Sequence, residues 1–247
     1  MSAPTDRSPR DTSGLPAATT AAAADAGVTE SATFVFADIA GFTALTEAHG
    51  DEQAAELVAD FCRAVQSELP ASGGSQVKSI GDALMLRVPD PAAAIRLALR
   101  IANGIMREHG APAVRVGLHH GPALGRDGDY FGAAVNLAAR VSGQAPGGEV
   151  LLTAHTAALA GELDNVLYES RGRRQLRNVR EPVELVAAVP ADVKTTRGIA
   201  IDPVCHMAVD PEHAAGRLVY DDAAYFFCTL TCAGDFARQP ERFVRSP

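Results

Sequence analysis

FVFADIAGFT, residues 34–43, decides how the rest of the chain is read. Phe34, Val35, Phe36 and Ala37 form an apolar strand pattern that runs straight into a carboxylate, Asp38, followed by a Gly-Phe-Thr turn. An acid at the buried end of a strand costs several kcal/mol of desolvation unless it is paired or holds a metal. Asp38 therefore needs a group to meet it.

A strand is expected at 33–38. A helical pattern follows from Thr43 to Leu69, where Ala54, Val58, Phe61, Val65 and Leu69 recur at intervals of three and four. Cys62 lies beside Phe61 as a small core residue. Two short apolar runs, QVKSI and ALMLRV, are separated only by Gly81-Asp82, the spacing of a tight hairpin. Asp90 and Pro91 supply an N-cap and a first-turn proline for a second helix. Its face is Ile95, Leu99, Ala102 and Ile105, and it is expected to stop near Gly110. VRVGLHHG is a further strand. The order β-α-β-β-α-β is the ferredoxin-like unit of an α+β fold.

Beyond that unit, FGAAVNLAARV is expected as a short helix, GEVLLT as a strand and TAHTAALAG as a helix. Leu167 to Arg173 and Pro182 to Val189 form a closing strand pair. Neighbours on a strand point to opposite faces, so His119 and His120 are expected as one core and one solvent-facing histidine and not as a shared metal site. Residues 190–200 lack period and are expected as a linker. Residues 201–247 are too few to build a large core and call for a staple such as a metal.

Composition limits the function classes. The chain has 247 residues, 47% of them hydrophobic, and a formal net charge of −8. Such an acidic surface repels nucleic-acid backbones, so no nucleic-acid partner is expected. No stretch approaches the roughly 20 apolar residues that span a bilayer, so no membrane partner is expected either. Residues 1–30 are low in large side chains and are expected as a disordered tail, and the protein as cytoplasmic. Of the four cysteines, Cys205, Cys228 and Cys232 cluster near the end. In a reducing compartment such a cluster binds metal more often than it forms disulfides.

In a ferredoxin-like sheet the first strand and the central hairpin lie side by side, which brings Asp38 toward Asp82. Two carboxylates at one sheet end repel unless cations sit between them. A pair of divalent ions about 3.5 to 4 Å apart, as in two-metal phosphoryl-transfer sites, would satisfy both. On spacing alone, a turn aspartate at 82 and an N-cap at 38 explain the residues equally well.

FADIAGFTALTE, VKSIGDALM, GLHHGPALGRDGDYFG and GAAVNLAARV resemble, in order and spacing, the motifs of the class III adenylate and guanylate cyclase catalytic domain, over residues 32 to about 189. The resemblance implies that Asp38 and Asp82, with the Ile39 carbonyl, hold two Mg²⁺ or Mn²⁺ ions. It implies that Lys78 and Asp129 recognise the purine, that Asn136 orients the ribose and that Arg140 stabilises the transition state. A basic residue for the triphosphate falls at Arg177, where Arg and Asn178 replace the family's usual Lys-Gly. Lys78 as donor and Asp129 as acceptor match adenine and mismatch guanine, so ATP is expected over GTP. Asn136 and Arg140 are four apart on a helix and share a face.

In the family the metal-binding pair and the Asn/Arg pair come from different subunits, so a homodimer with two equivalent sites is implied. The alternatives are a guanylate cyclase and a domain that binds nucleotide without turning it over. A palm-like polymerase shares the paired carboxylates, but the net charge disfavours it.

The tail, with AYFFCTLTC and a later PERF, resembles a YHS domain, a module related to the TRASH metal-binding family. Cys205, Cys228 and Cys232 stand as C-x22-C-x3-C. Three thiolates favour Zn²⁺ or Cu(I) over Mg²⁺. His206, where the family commonly has glycine, is the candidate fourth ligand, although adjacent side chains rarely converge on one ion. Metal binding in this module is expected to regulate the catalytic domain.

Overall fold

The computed structural model describes residues 27–105, 112–191 and 199–244. Most of the expected tail and linker, residues 1–26 and 192–198, lies outside them.

The core is one large sheet. Strand β1 (Val28–Ile39) sits at its centre, antiparallel to β3 (Ala83–Val88) on one side and to β4 (Val114–Arg126) on the other. With β2 (Ser75–Ile80), β6 (Val150–Thr153), β7 (Val166–Arg174) and β8 (Val183–Pro190), the order is β2-β3-β1-β4-β6-β8-β7, and β5 (Asp129–Phe131) pairs with β4. The β2-β3-β1-β4 portion is the expected ferredoxin-like arrangement. Alternation along β1 separates two apolar layers. Val35, Ala37 and Ile39 face a cluster with Leu45, Phe61 and Ile95, whereas Ala32, Phe34 and Phe36 face Ala134, Val135 and Ala138.

The second layer belongs to α4 (Ala133–Ser142), which packs closely on the sheet. The approach requires Gly117, because a Cβ there would lie 2.0 Å from the Ser142 backbone nitrogen.

Several boundaries differ from expectation. β1 begins at Val28, not 33, because β4 is long enough to pair with it as far as Val28↔Gly125. Glu30, expected in the tail, forms a two-pronged ion pair with Arg87 at 2.6 and 2.7 Å. The helix expected over 43–69 is two helices, α1 (Phe42–His49) and α2 (Asp51–Ser72). Gly50, at φ 86°, ends the first by returning its N–H to the Thr46 carbonyl. In α3 (Pro91–Arg100) the Asp90 side chain caps Ala93 N–H as expected. A π-helical turn over Ile101–Ile105 then replaces regular helix.

His119 and His120 are both half-buried, against the expectation of one core and one exposed ring. His119 Nδ1 lies 2.9 Å from Thr153 Oγ1, and His120 Nδ1 lies 3.0 Å from Thr33 Oγ1. Burial, with lesser repulsion from His155 and His120, lowers the His119 pKa from 6.5 to about 4. Between these values the unfolded chain takes up a proton that the folded chain refuses. The His119 contribution is therefore complete above pH 6.5 and is lost as pH falls toward 4. At about 1.4 kcal/mol per unit, the loss is of order 3–4 kcal/mol at most. In denaturation midpoints followed from about pH 7 to 4.5, His119→Gln is expected to flatten this part of the profile. A profile parallel to that of the parent protein would contradict it.

The C-terminal segment forms a small module. It holds two short ladders, β9 (Ala200–Ile201) with β10 (Ala208–Val209) and β11 (Gly216–Tyr220) with β12 (Ala223–Phe227). The helices α6 (Leu230–Arg238) and α7 (Pro240–Phe243) follow. It docks against the main sheet's helical layer. Val204, Met207, Phe227 and Phe236 join the same buried cluster as Leu45 and Phe61, and Ala113 N–H donates to the His206 carbonyl at 3.0 Å.

Candidate active site

Asp38 stands near the C-terminal end of β1. The β1–β3 register sets Ala83 opposite it, and Asp82 precedes Ala83 in the hairpin turn. The two carboxyl groups line one pocket and lie close enough for Asp38 to perturb Asp82. Burial first, then the neighbouring Asp38 carboxyl, pushes the Asp82 pKa up from 3.8 to about 6. They lie at one wall of an open pocket of about 620 Å³, which Ile39 and the loop 143–147 after α4 also line.

The group that meets Asp38 is Arg115. The β1–β4 register pairs the two residues directly, and Arg115 Nε and Nη2 donate to Asp38 Oδ2 at 2.7 and 2.5 Å. Arg115 lines the same pocket. The chain alone did not single it out, although its position opposite Asp38 follows once β1 and β4 are aligned. Two adjacent carboxylates, with the backbone of Ile39 lining the same pocket, offer hard oxygen donors of the kind Mg²⁺ and Mn²⁺ take. The mutual repulsion of the acids is what such cations relieve, so the donor set fits.

The remaining expected residues fall into separate groups. Lys78 Nζ on β2 donates to Asp129 Oδ2 at the start of β5, at 2.5 Å, and this pairing holds the Asp129 carboxyl below its usual range. Asn136 and Arg140 are exposed on α4, one turn apart. Arg177 is exposed in the turn between β7 and β8. Leu176 anchors that turn in a cluster with Val141, and Asn178 adopts φ 61°, a left-handed conformation that Asn tolerates in place of Gly. None of these five lines the Asp38–Asp82 pocket.

Residues 25–186 match the model of the adenylate and guanylate cyclase catalytic domain. The chain belongs to this cyclase family. Residues 200–246 match the YHS domain. A pH-sensitive adenylate cyclase of Mycobacterium tuberculosis is 34% identical over 169 residues, 67% of this chain and 42% of that protein. An adenylate cyclase of Streptomyces griseus is 36% identical over 117 residues, 47% of this chain and 29% of that protein. The matches thus span less than half the length of these relatives. An adenylate cyclase structure from Trypanosoma brucei, described in its monomeric state, superposes with a TM-score of 0.58 at 26% identity, covering 66% of this chain and 89% of the other. An adenylate/guanylate cyclase/hydrolase from Silicibacter pomeroyi gives 0.61 at 23% identity over 66% and 99%, a likeness of fold alone.

In the YHS domain, Cys205, Cys228 and Cys232 converge. His206 does not join them. Its φ of 62° explains the family's preference for glycine at that position, and its ring packs on Gly41 so tightly that a Cβ there would lie 2.1 Å from His206 Cδ2. His206 and Ile201 instead line the Asp38–Asp82 pocket. The imidazole beside the thiols is His49, at the end of α1. No helix among the described residues is long and apolar enough to cross a membrane.

Proposed function

We propose that the protein is an adenylate cyclase that converts ATP to 3′,5′-cyclic AMP and pyrophosphate at a site shared by two copies of the chain. The observation that carries this is the convergence of Asp38 and Asp82 on one open pocket beside Arg115. Asp38, Asp82 and the Ile39 carbonyl would hold two Mg²⁺ or Mn²⁺ ions. Bound there, the ions acidify the ribose 3′-hydroxyl and neutralise charge growing on the α-phosphate.

The chain's own residues then have distinct tasks. Arg115, freed from Asp38, turns its donors to the triphosphate, for which a guanidinium fork is well shaped. Lys78 donates to a purine ring nitrogen and Asp129 accepts from the exocyclic amine, once substrate parts the ion pair they now form. Asn136 orients the ribose, and Arg140 meets the charge of the transition state. These two side chains are exposed and lie outside their own chain's pocket, which supports their supply by the partner subunit. Arg177 serves the triphosphate from the β7–β8 turn.

Purified protein given ATP with Mg²⁺ or Mn²⁺ is expected to release cyclic AMP and pyrophosphate, with less turnover of GTP. Silence with both metals, or a preference for GTP, would overturn this assignment.

Regulation by the YHS domain is part of the same proposal, because its Ile201 and His206 form one side of the pocket. Cys228→Ser leaves every catalytic ligand in place and is expected to change the rate at saturating Mg²⁺. An unchanged rate would remove regulation from the function.

A further inference from the structure

Four ligating side chains from two parts of the chain meet at one point. Cys205 follows β9, Cys228 comes directly after β12, and Cys232 lies in the first turn of α6. His49 is the last residue of α1, in the cyclase domain. Cys228 Sγ is 3.3 Å from Cys205 Sγ, 3.9 Å from Cys232 Sγ and 3.6 Å from His49 Nε2, and all four ligand atoms lie within 4.8 Å of one another. Cys205 and Cys232 are fully buried, and Cys228 and His49 are half-buried.

The spacings about Cys228 Sγ come close to those of a tetrahedral site. With Zn–S bonds of about 2.3 Å and a Zn–N bond of about 2.0–2.1 Å, ligand atoms stand about 3.8 Å apart between sulfurs and about 3.6 Å apart from sulfur to nitrogen. Groups behind the ligands fix the two cysteine loops. Asp202 is fully buried, and its carboxylate accepts Val204 N–H and Cys228 N–H, each at 2.8 Å. Thr229 Oγ1 accepts Cys232 N–H at 3.1 Å and caps α6.

We propose that His49, Cys205, Cys228 and Cys232 form a tetrahedral Zn²⁺ site whose fourth ligand comes from the cyclase domain, so that the ion ties the YHS domain to α1. The consequence is mechanical. Helix α1 begins at Phe42, directly after the pocket loop that Asp38 opens, and ends at His49. Zinc fastens the module at the far end of the helix, while His206, next to Cys205, is wedged against Gly41 at the near end. The module is thereby held along the whole of α1, about 12 Å, with His206 at the pocket wall. The inference uses the YHS assignment, and its readouts do not depend on turnover, so it can fail or stand independently of the cyclase activity.

The test uses the full chain, reduced and stripped with chelator, then titrated with Zn²⁺ and with Co²⁺ as a spectroscopic stand-in. One ion per chain is expected, with thiolate-to-cobalt charge transfer and the strong visible bands of a tetrahedral site. His49→Ala should weaken Zn²⁺ binding by at least the ten- to hundredfold that losing a group behind a ligand costs. His49→Cys should restore tight binding and intensify the thiolate bands, which separates loss of a ligand from loss of folding. His206→Ala and Cys62→Ser should bind as the parent does. In hydrogen exchange, Zn²⁺ should protect the α1 amides in the parent and not in His49→Ala. Binding unaffected by His49→Ala would overturn the proposal. So would a Cys205–Cys228 disulfide persisting in reductant with no metal uptake, or selective uptake of Cu(I) on three thiolates alone.

Discussion

Asp82→Ala is expected to abolish cyclic AMP formation without weakening the fold. The two halves of this result have one cause. Asp82 sits in a partly desolvated pocket beside Asp38, and burial first, then the neighbouring Asp38 carboxyl, push its pKa up from 3.8 to about 6. An acid whose folded pKa exceeds its unfolded value lowers stability as pH rises from 3.8 through 6, and the full cost is present above that range. Removing Asp82 relieves that cost, so the metal-free variant is expected to melt no lower than the parent at neutral pH. Its advantage, of order 1–2 kcal/mol after allowance for the exposure of the turn, should vanish toward pH 4. The lost ligand would disorder the ions on which the chemistry depends, and a fall in kcat of at least about a thousandfold is expected. Added Mn²⁺ should stabilise the parent and leave the variant unmoved. Retained activity in Asp82→Ala, measured by product identification, would dismiss the pair as the metal site.

The second large effect is recovery by mixing. Asp82→Ala removes a ligand from the pocket and Arg140→Ala removes a group on the outer face of α4, so each homodimer should be nearly silent. If the two residues serve one site from opposite subunits, a heterodimer of the variants has one site lacking both residues and one site intact. Random exchange of equal amounts makes half the dimers mixed, each with one working site of two, so about a quarter of the parent activity should return. Exchange is verified separately with two affinity tags. No recovery despite proven exchange would place Arg140 and Asp82 in the same subunit's site, or Arg140 in none. The geometry that motivates the experiment is the exposure of Asn136 and Arg140 away from the pocket in their own chain.

How much of this was legible beforehand depended on the range of the interaction. Asp38 at a strand end, the Gly81-Asp82 turn, the Asp90-Pro91 helix start and the i, i+4 pair on α4 are local patterns, and they appear in the fold where the periodicities place them. The convergence of Cys205, Cys228 and Cys232 was likewise foreseeable from a module too small to hold itself together. Expectations faltered at boundaries. The break at Gly50 was signalled by a glycine followed by Asp51 and Glu52, a helix stop and an acidic helix start, but the apolar positions that placed the helix, Ala54 to Leu69, all lie beyond it. The strand residues 28–30 carry little hydrophobic pattern and are held by ladder bonds to a strand far away in sequence.

By itself, then, the chain determined its α+β class, the strand order of its first β-α-β-β-α-β unit, the acids that open the pocket and the thiols of its last segment, because propensity, turn chemistry and amphipathic period act over a few residues. Only the tertiary structure decided what meets what. It gave Asp38 to Arg115, Lys78 to Asp129 and His49 to the cysteines, and it turned His206 from the thiols toward Gly41. Each of those pairings is fixed by strand register or by the docking of one apolar surface on another, and such contacts leave no trace in local spacing.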